Sequence, residues 1–338
     1  MKSSTLADIA AFAGVSSAAV SYFFSGKKKF SGETAARILE GAKKFNYTPI
    51  HIKPRAQPNK IINMCISVES RDISDGVYYL GLMNGIIDCL SEAGYQLMFS
   101  RLVYGDSESH NFFLKSLDMV KGIILCNPRK DHRFEDDFQE RNIPFVILGA
   151  SEKKDSVFYV DVDMQGIGFQ GADYFLAKGH RKILYLNLPD TLTQSEHRLE
   201  GFKLAYERRD LKLPDKDHFF APAAADDMYS LIKSLLAGRE YTAVVTANEV
   251  IAEGVIKAAR ELRIDIPSNL ELLSMGGSVL GTFSVPSLSI IDFNSNKHGY
   301  EAAKLLLEIL GGKRVTPFHL ILPGNLVERE STRAVTKN

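Results

Sequence analysis

Basic and hydroxyl-bearing side chains are gathered near the start of the 338-residue sequence, which carries 41 basic and 41 acidic side chains in all. Residues 1–60 hold ten lysines and arginines against three acids, so this segment has a formal charge of +7 and the remainder −7. Lys27, Lys28 and Lys29 can bind phosphate oxygens, and the hydroxyls of Ser17 and Tyr22 can hydrogen-bond base edges. A small basic segment on a larger acidic chain is the charge distribution of a nucleic-acid-binding module attached to another domain.

Three short helices must present these groups. Thr5 can cap a first helix in which Asp8 closes a capping box, and Gly14 can end that helix with a positive φ. Ser16 can cap a second helix over residues 17–24, and Ser31 a third that ends near residue 45. The alanines between Thr5 and Gly26 let the first two helices approach closely at a tight turn. The pattern predicts a helix-turn-helix, whose second helix enters the major groove of DNA.

The same residues carry a family resemblance. The run TLADIAAFAGVSSAAVSYFFSG (5–26) and the later Tyr47-x-Pro49 resemble the amino-terminal domain of the lac repressor (LacI/GalR) family. Many relatives carry arginine at the position of Tyr22, which could instead contact a thymine methyl group or a phosphate. The resemblance implies a DNA-binding domain over residues 1–48. The implied DNA-binding residues are Thr5, Leu6, Ser16, Ser17, Ala18, Ser21, Tyr22, Lys29, Ser31, Thr34, Tyr47 and Ile52.

The linker over residues 49–60 departs from the family pattern. Relatives form a short hinge helix on operator DNA and insert a leucine into the minor groove. Here Pro54 disfavours a helix interior, Ala56 is too small for a wedge, and Ile52 is the remaining apolar candidate. Three prolines in the sequence PIHIKPRAQPNK favour an extended, semi-rigid linker. The hypothesis that follows is weaker bending of the operator than in typical relatives.

From Ile61 onward, apolar runs alternate with amphipathic stretches. Buried runs joined by helical crossovers indicate parallel sheets covered on both faces. The series repeats twice, which predicts an α/β body with two Rossmann-like lobes, and ligands of such sheets bind beyond the carboxyl ends of the strands. The predicted strands cover 61–68, 95–101, 122–127, 145–150, 182–189, 243–248 and 270–275.

The body is similar to the same family and to the periplasmic sugar-binding proteins. The resemblance implies three crossings between the lobes, near Asp161, Ile291 and Leu322. The expected fold is a small all-α helix-turn-helix head on a periplasmic-binding-protein-like α/β body. The body covers residues 61–338, with lobe 1 at about 61–161 and 292–322 and lobe 2 at about 162–291 and 323–338.

In the family, the cleft between the lobes binds a small effector, usually a sugar or a purine. Aromatic faces stack on sugars or bases, and arginine and asparagine bind hydroxyls or carbonyls. Arg198 is the foremost candidate, the alternative being a surface arginine on an exposed helix. The implied effector-binding residues are Tyr78, Tyr79, Arg101, Asn127, Arg198, Phe220, Asn248 and Phe293.

Two glycines depart from the sugar-binding relatives, many of which carry aspartate where this chain has Gly149 and Gly276. Aspartate accepts hydrogen bonds from sugar hydroxyls, and its loss at both positions removes the usual clamps. Arg101, where asparagine is common, adds positive charge. We expect an anionic effector such as a sugar phosphate or sugar acid. The alternative is a regulator without an effector, which acts through DNA occupancy alone.

Other classes of protein are disfavoured. The sequence has no GxSxG elbow, P-loop or HExxH motif, so an enzyme is a distant alternative. Cys65, Cys89 and Cys126 are isolated, which predicts no metal site, and no cofactor is expected. The start MKSSTLAD lacks the apolar segment of a signal peptide, and no apolar run reaches the ~18 residues of a membrane span. We therefore expect a cytoplasmic protein without a membrane partner.

The expected partners are double-stranded operator DNA, a small effector and a second copy of the chain. A homodimer presents two recognition helices to a pseudo-palindromic operator with half-sites about one helical turn apart. The residues after Leu326 contain no heptads, so a coiled-coil tetramer is not predicted. The family resemblance implies a repressor of carbohydrate-related genes.

Overall fold

The computed structural model describes residues 5–24, 27–45, 47, 60–68, 76–103, 106–126, 134–149, 156–190, 192–222, 225–238, 241–277, 279–314 and 316–333. Two compact units divide the chain, a head over residues 1–59 and a body over residues 60–338. Asn127 and the linker as far as residue 59, including Ile52, lie outside the described residues.

Three helices form the head: α1 (Leu6–Ala13), α2 (Ser17–Phe24) and α3 (Gly32–Lys44). Their starts follow the predicted caps. The Asp8 carboxylate accepts from the Thr5 backbone N–H at 2.7 Å, and the Ser31 hydroxyl accepts from the Thr34 N–H at 3.3 Å. Gly14 ends α1 at a φ of 67°, in the left-handed region that favours glycine.

The head core lies where the three helices meet. Ile9, Val20 and Ile38, one from each helix, are fully buried there, with Ala10 and Ala13 of α1 beside them. Among the described residues, no single helix is long and apolar enough to cross a membrane. Helices α1 and α2 reach that length and composition only when they are counted together, and they are bent by 104° relative to each other.

Lobe 1 is built on a parallel sheet in which six strands are described, in the order β11-β5-β4-β3-β1-β2. Helices α4 (Gly76–Glu92) and α12 (Ser295–Leu310) line one apolar core of this lobe, and α5 (Ser107–Ser116) and α6 (Phe134–Glu140) line another. The strands are β1 (Ile61–Val68), β2 (Gln96–Val103), β3 (Gly122–Cys126), β4 (Phe145–Leu148), β5 (Tyr159–Val162) and β11 (His319–Leu322).

Lobe 2 has a second sheet with six described strands, in the order β12-β10-β9-β8-β6-β7, in which only β12 runs antiparallel to its neighbour. Its helices are α7 (Met164–Ala177), α8 (Thr193–Glu207), α9 (Ala225–Gly238), α10 (Glu249–Glu261) and α11 (Leu280–Phe283). The strands are β6 (Ile183–Asn187), β7 (His218–Phe220), β8 (Ala243–Thr246), β9 (Glu271–Gly276), β10 (Ser289–Asp292) and β12 (Asn325–Val327).

The chain passes between the two sheets after β5, after β10 and between β11 and β12. Short strands were absent from the sequence prediction: β5, β7, β10, β11 and β12 have only three or four residues each. The strand predicted over 145–150 ends earlier, at Leu148, and Gly149 has a φ of 120° that extended residues do not adopt.

Glycines hold two helix pairs together. A Cβ on Gly168 of α7 would lie 2.0 Å from the carbonyl oxygen of Arg198, and a Cβ on Gly201 of α8 would lie 1.8 Å from that of Gln165. The run GIGFQG at 166–171 has GxGxxG spacing, but it lies inside α7 and serves this close packing. In lobe 1, Gly85 of α4 and Gly299 of α12 pack in the same way. Each lobe therefore contains one helix pair that admits no side chain at its crossing.

Candidate DNA-binding surface and effector site

The second helix of the head turns one polar and aromatic face to solvent. Ser17, Ala18, Ser21 and Tyr22 are exposed, while Val20 on the other side of α2 is fully buried. Burial of Val20 fixes which face of the helix is available, because rotation of α2 would expose it. The four exposed residues are those that the sequence predicts to face DNA.

Other predicted DNA contacts are hydroxyls that cap helices. The Ser16 hydroxyl accepts from the Ala19 N–H at 3.2 Å, and the Ser31 hydroxyl also lies 2.9 Å from that of Thr34. The Thr5 hydroxyl donates to the Asp8 carboxylate at 2.8 Å. These groups position the helix starts, whatever else they contact.

Leu6 and Tyr47, also predicted to contact DNA, are half-buried and pack against the head core. The Tyr47 ring centroid lies 5.9 Å from that of Phe24. Lys27, Lys28 and Lys29 are all exposed in the segment after α2. The Lys27 Nζ lies 6.0 Å from the Tyr22 ring centroid. Positive charge therefore lies beside the exposed face of α2.

In the body, the structure brings together four of the predicted effector-binding residues. The Tyr78 ring of α4 lies edge-on to Tyr79 and to Phe293, with both centroid distances 5.6 Å. The Arg198 guanidinium of α8 lies 5.8 Å from the Phe293 ring centroid. Phe293 follows β10, where the chain leaves lobe 2 for lobe 1. The group thus joins residues from both lobes at a crossing of the chain.

Arg198 is 3% exposed, so the surface-arginine alternative is wrong. Its guanidinium donates to the carbonyl oxygen of Ala247 at 3.0 Å, and its Nε lies 3.3 Å from the Met164 sulfur. Ala247 directly follows β8, so Arg198 lies at the carboxyl end of a strand in the lobe 2 sheet. This is the edge at which parallel sheets bind ligands.

A buried histidine that the sequence reading missed positions Tyr78. His298 of α12 lies with Nδ1 3.2 Å from the Tyr78 hydroxyl and Nε2 2.9 Å from the carbonyl oxygen of Val160. A carbonyl only accepts, so Nε2 carries the proton and the Tyr78 hydroxyl donates to Nδ1. Burial lowers the pKa of His298 to about 4 and raises that of Tyr78 well above its ordinary value. Both groups are therefore neutral.

Of the remaining predicted residues, Asn248 directly follows Ala247, whose carbonyl oxygen binds Arg198, whereas Arg101 and Phe220 lie on edge strands of the two sheets. Arg101 is half-buried on the edge strand β2, opposite Ile66. Phe220 ends the edge strand β7 and packs on His218, with centroids 4.6 Å apart. The Asn248 side chain caps α10 and accepts from the Ile251 N–H at 2.9 Å.

A carboxylate does stand beside Gly276, although the sequence reading did not include it. Glu249 is buried, and its carboxylate accepts from the Gly277 N–H at 3.0 Å. A Cβ on Gly276 would come within 2.2 Å of the same carboxylate, so glycine makes room for it. The sequence did contain a signal for Glu249, because this residue directly follows the predicted strand over 243–248, at the strand end where parallel sheets bind ligands. A buried carboxylate therefore lies beside the position at which many sugar-binding relatives carry aspartate.

Ser195 is a further polar group near Arg198. It lies one turn earlier on α8, and its buried hydroxyl has no hydrogen-bond partner among the described residues. A buried hydroxyl without a partner is costly unless a bound molecule satisfies it. Within the described part of the chain, no group of three or more histidine, cysteine, aspartate and glutamate side chains is placed to hold a metal ion.

Two family patterns match the chain. Residues 5–49 match the pattern described as bacterial regulatory proteins, lacI family, and residues 172–332 match the periplasmic binding protein-like domain. The HTH-type transcriptional regulator MalR of Staphylococcus xylosus is 25% identical over 98% of each chain. The ribose operon repressor of Escherichia coli strain K12 is 26% identical over 97% of this chain and 99% of its own.

Solved structures share the fold along nearly the whole chain. The lac repressor dimer bound to operator and the anti-inducer ONPF superposes with a TM-score of 0.73 at 21% identity, covering 98% of this chain and 100% of its own. The transcriptional regulator CelR–cellobiose complex gives a TM-score of 0.73 at 22% identity, over 97% and 99% of the two chains. The expected head and two-lobed body are confirmed.

The head pattern, the body pattern and the full-length relatives agree on one class of protein, whose members bind DNA and regulate transcription rather than catalyse reactions. The chain belongs to the LacI family of bacterial transcriptional regulators.

Proposed function

We propose that this regulator represses genes of carbohydrate use and binds a pseudo-palindromic operator as a cytoplasmic homodimer. A small effector that binds between the lobes raises or lowers its affinity for the operator. The observation that carries the proposal is the Arg198 cluster. The buried Arg198 guanidinium of lobe 2 meets the aromatic rings of Tyr78 and Phe293, where the chain crosses to lobe 1, at the strand ends where such folds bind ligands. Repressors of sugar operons among the relatives support the carbohydrate assignment.

The proposed organisation is a DNA-binding head at 1–48, a linker at 49–60, and two lobes with the boundaries that the sequence predicts. Effector binding changes the angle between the lobes, which moves the two linkers of a dimer and so the spacing of the heads. Effector binding and DNA binding then change each other's affinity by the same factor, with a coupling free energy of typically ~1–3 kcal/mol. We propose that the proline-rich linker bends the operator DNA less than the linkers of typical relatives do. A strong DNA kink in a circular-permutation gel assay would contradict this proposal.

Exposed apolar side chains support the homodimer. On lobe 1, Leu80 and Ile87 are exposed one heptad apart on α4. On lobe 2, Phe283 is 76% exposed and Val285 is 73% exposed. Such side chains mark an interface when they form a patch. Sedimentation velocity should show a dimer, and Leu80→Ser with Phe283→Ser should shift it toward the monomer.

The proposed effector is a sugar or sugar derivative. Arg198 and Arg101 favour an anionic group such as a phosphate or carboxylate, and the Glu249 carboxylate can accept from hydroxyls. Aromatic faces at Tyr78 and Phe293 suit the C–H surface of a sugar ring. A sugar phosphate or sugar acid satisfies all three features.

A thermal-shift screen of the purified protein against sugars, sugar phosphates, sugar acids and purines tests the effector. A saturating ligand should raise the melting temperature by degrees, since binding stabilises the native state by mass action. Arg198→Ala should abolish the shift, whereas Arg198→Lys keeps the charge without the planar fork, so it should weaken binding less. An unchanged shift in Arg198→Ala would contradict the assigned site.

A second candidate is a regulator without an effector. Gly149 and Gly276 favour it, because the aspartates of many sugar-binding relatives are missing at both positions. In that case no ligand class shifts the melting temperature, while operator binding remains intact in a fluorescence-anisotropy titration. The same pair of measurements therefore separates the two candidates.

A further inference from the structure

The exposed face of α2 has no side chain that can form the paired hydrogen bonds by which helices distinguish bases. Residues 9–26 contain no charged residue, asparagine or glutamine. Guanine is read by arginine or lysine, adenine by asparagine or glutamine, and cytosine by aspartate or glutamate. None of these contacts can come from α2.

A methyl group, an aromatic ring and hydroxyls remain on this face. The hydroxyls of Ser17 and Ser21 both donate and accept, so they bond to base pairs with little selectivity. Ala18 presents a methyl group, and Tyr22 is 45% exposed. The one apolar group that a base pair shows in the major groove is the C5-methyl of thymine.

The segment after α2 bonds to the backbone of Tyr22 and places ammonium groups beside its ring. The Lys27 N–H donates to the Tyr22 carbonyl oxygen at 3.0 Å, and the lysine ammonium lies 6.0 Å from the ring centroid. The Lys28 ammonium lies 5.9 Å from the Phe30 ring centroid. Ammonium groups attract phosphates of every sequence alike. On α2 itself, the groups that remain to prefer one base pair over another are the carbon surfaces of Ala18 and Tyr22.

We propose that α2 identifies its operator by the C5-methyl groups of thymines, which contact Ala18 and the Tyr22 ring. The inference rests on the proposed function, because it requires α2 to enter the major groove. It implies that the base pairs under α2 are A·T pairs and that no guanine is required there.

Thymine-to-deoxyuridine substitution tests this inference with the unaltered protein. The full-length chain first selects duplexes from a random-core library, and each thymine of the selected half-site is then replaced singly by deoxyuridine. The change removes only a methyl group in the major groove, so interactions of the linker in the minor groove are untouched. Burial of one methyl group corresponds to about fourfold in affinity. We expect about fourfold weaker binding at one or two positions of each half-site.

The outcomes separate this inference from the proposed function. Selection of no sequence would overturn the proposed function and the inference with it. A selected half-site in which every thymine tolerates deoxyuridine, or in which α2 requires guanine, would leave the regulator intact and overturn the inference alone.

Two variants assign the thymine methyl to the side chain that binds it. Tyr22→Ser should abolish the preference for thymine over deoxyuridine at one position, and Ala18→Gly should do so at another. Lys28→Ala is the matched control, because removal of an ammonium near the phosphates should weaken thymine and deoxyuridine duplexes equally. Far-UV circular dichroism verifies that each head is folded. A preference that survives in both Tyr22→Ser and Ala18→Gly would contradict the assignment.

Discussion

Tyr78 and Phe293 lie edge to face with ring centroids 5.6 Å apart, which joins the first helix of lobe 1 to the segment that leaves lobe 2. Arg198 approaches the same Phe293 ring from α8 of lobe 2. A change in the angle between the lobes must therefore rearrange these contacts, and a ligand that alters them can bias that angle.

The lysines after α2 should set the salt dependence of DNA binding. Replacement of Lys27, Lys28 and Lys29 by alanine should reduce the slope of log affinity against log salt by about 1 for each phosphate that is no longer neutralised. Fluorescence anisotropy at several salt concentrations measures this slope. Lys313→Ala, exposed in the body just after α12, is the control and should leave it unchanged.

Gly201→Ala should destabilise the body. Its Cβ would lie 1.8 Å from the Gln165 carbonyl oxygen, so α7 and α8 must separate, at a cost of about 1–3 kcal/mol or more. Gly238→Ala is the matched control, because a Cβ at the end of α9 meets no atom within 4 Å. Urea unfolding measures both. Equal free energies of unfolding for the two variants would contradict the close packing of α7 on α8.

Glu271 should contribute more to stability than a surface carboxylate. It is 1% exposed and accepts from Lys178, from His180 Nε2 at 3.2 Å, and from the Arg333 Nε at 2.7 Å. Glu271→Gln should lower the free energy of unfolding by about 1.5–3 kcal/mol, because a neutral amide weakens the charge-assisted hydrogen bonds that the buried carboxylate accepts from Lys178 and Arg333.

The comparison for Glu271 is the surface pair of Glu261 and Lys233, which are 2.6 Å apart and substantially exposed. Glu261→Gln should leave the free energy of unfolding nearly unchanged, because solvent screens exposed pairs. Differential scanning calorimetry of both variants tests the contrast. A large loss of unfolding free energy in Glu261→Gln, or no loss in Glu271→Gln, would contradict this prediction.

His298 should make the body less stable in acid. Burial lowers its folded pKa from 6.5 to about 4, so the unfolded chain takes up the proton first. The stabilisation of the folded body by neutral His298 is fully present above pH 6.5. It is lost as the pH falls toward 4, which lowers the free energy of unfolding by about 3 kcal/mol in all. His298→Gln should flatten this loss in urea titrations. Part of the loss will remain, because burial also lowers the pKa of His218 to about 4.

Local signals in the sequence were sufficient to predict the head. Its caps at Thr5, Ser16 and Ser31 and its turn at Gly14 act within three or four residues, so they can be read without knowledge of distant contacts. The long apolar strands of the body were also predictable, since full burial on both faces leaves a continuous apolar run.

Short strands and the composition of the site depend on distant residues. β7 has three residues, and its pairing with β6 rather than its own pattern makes it a strand. Tyr78 and His298 are 220 residues apart, and Glu249 meets Gly277 across 28 residues. Arg198 was expected from a resemblance, but its burial and its bond to Ala247 follow only from the fold. Periodicity along the chain contains no signal for such contacts.

Both sheets of the body take a strand from residues 319–327, whereas the described core of the head lies within residues 6–47. During synthesis, the head can therefore fold as soon as it leaves the ribosome, while each lobe lacks an edge strand until nearly the whole sequence has been translated. A nascent chain on the ribosome would carry a folded, basic head long before it has a finished sensor domain. Because of this order of synthesis, the head can bind DNA before the body that regulates this binding is complete.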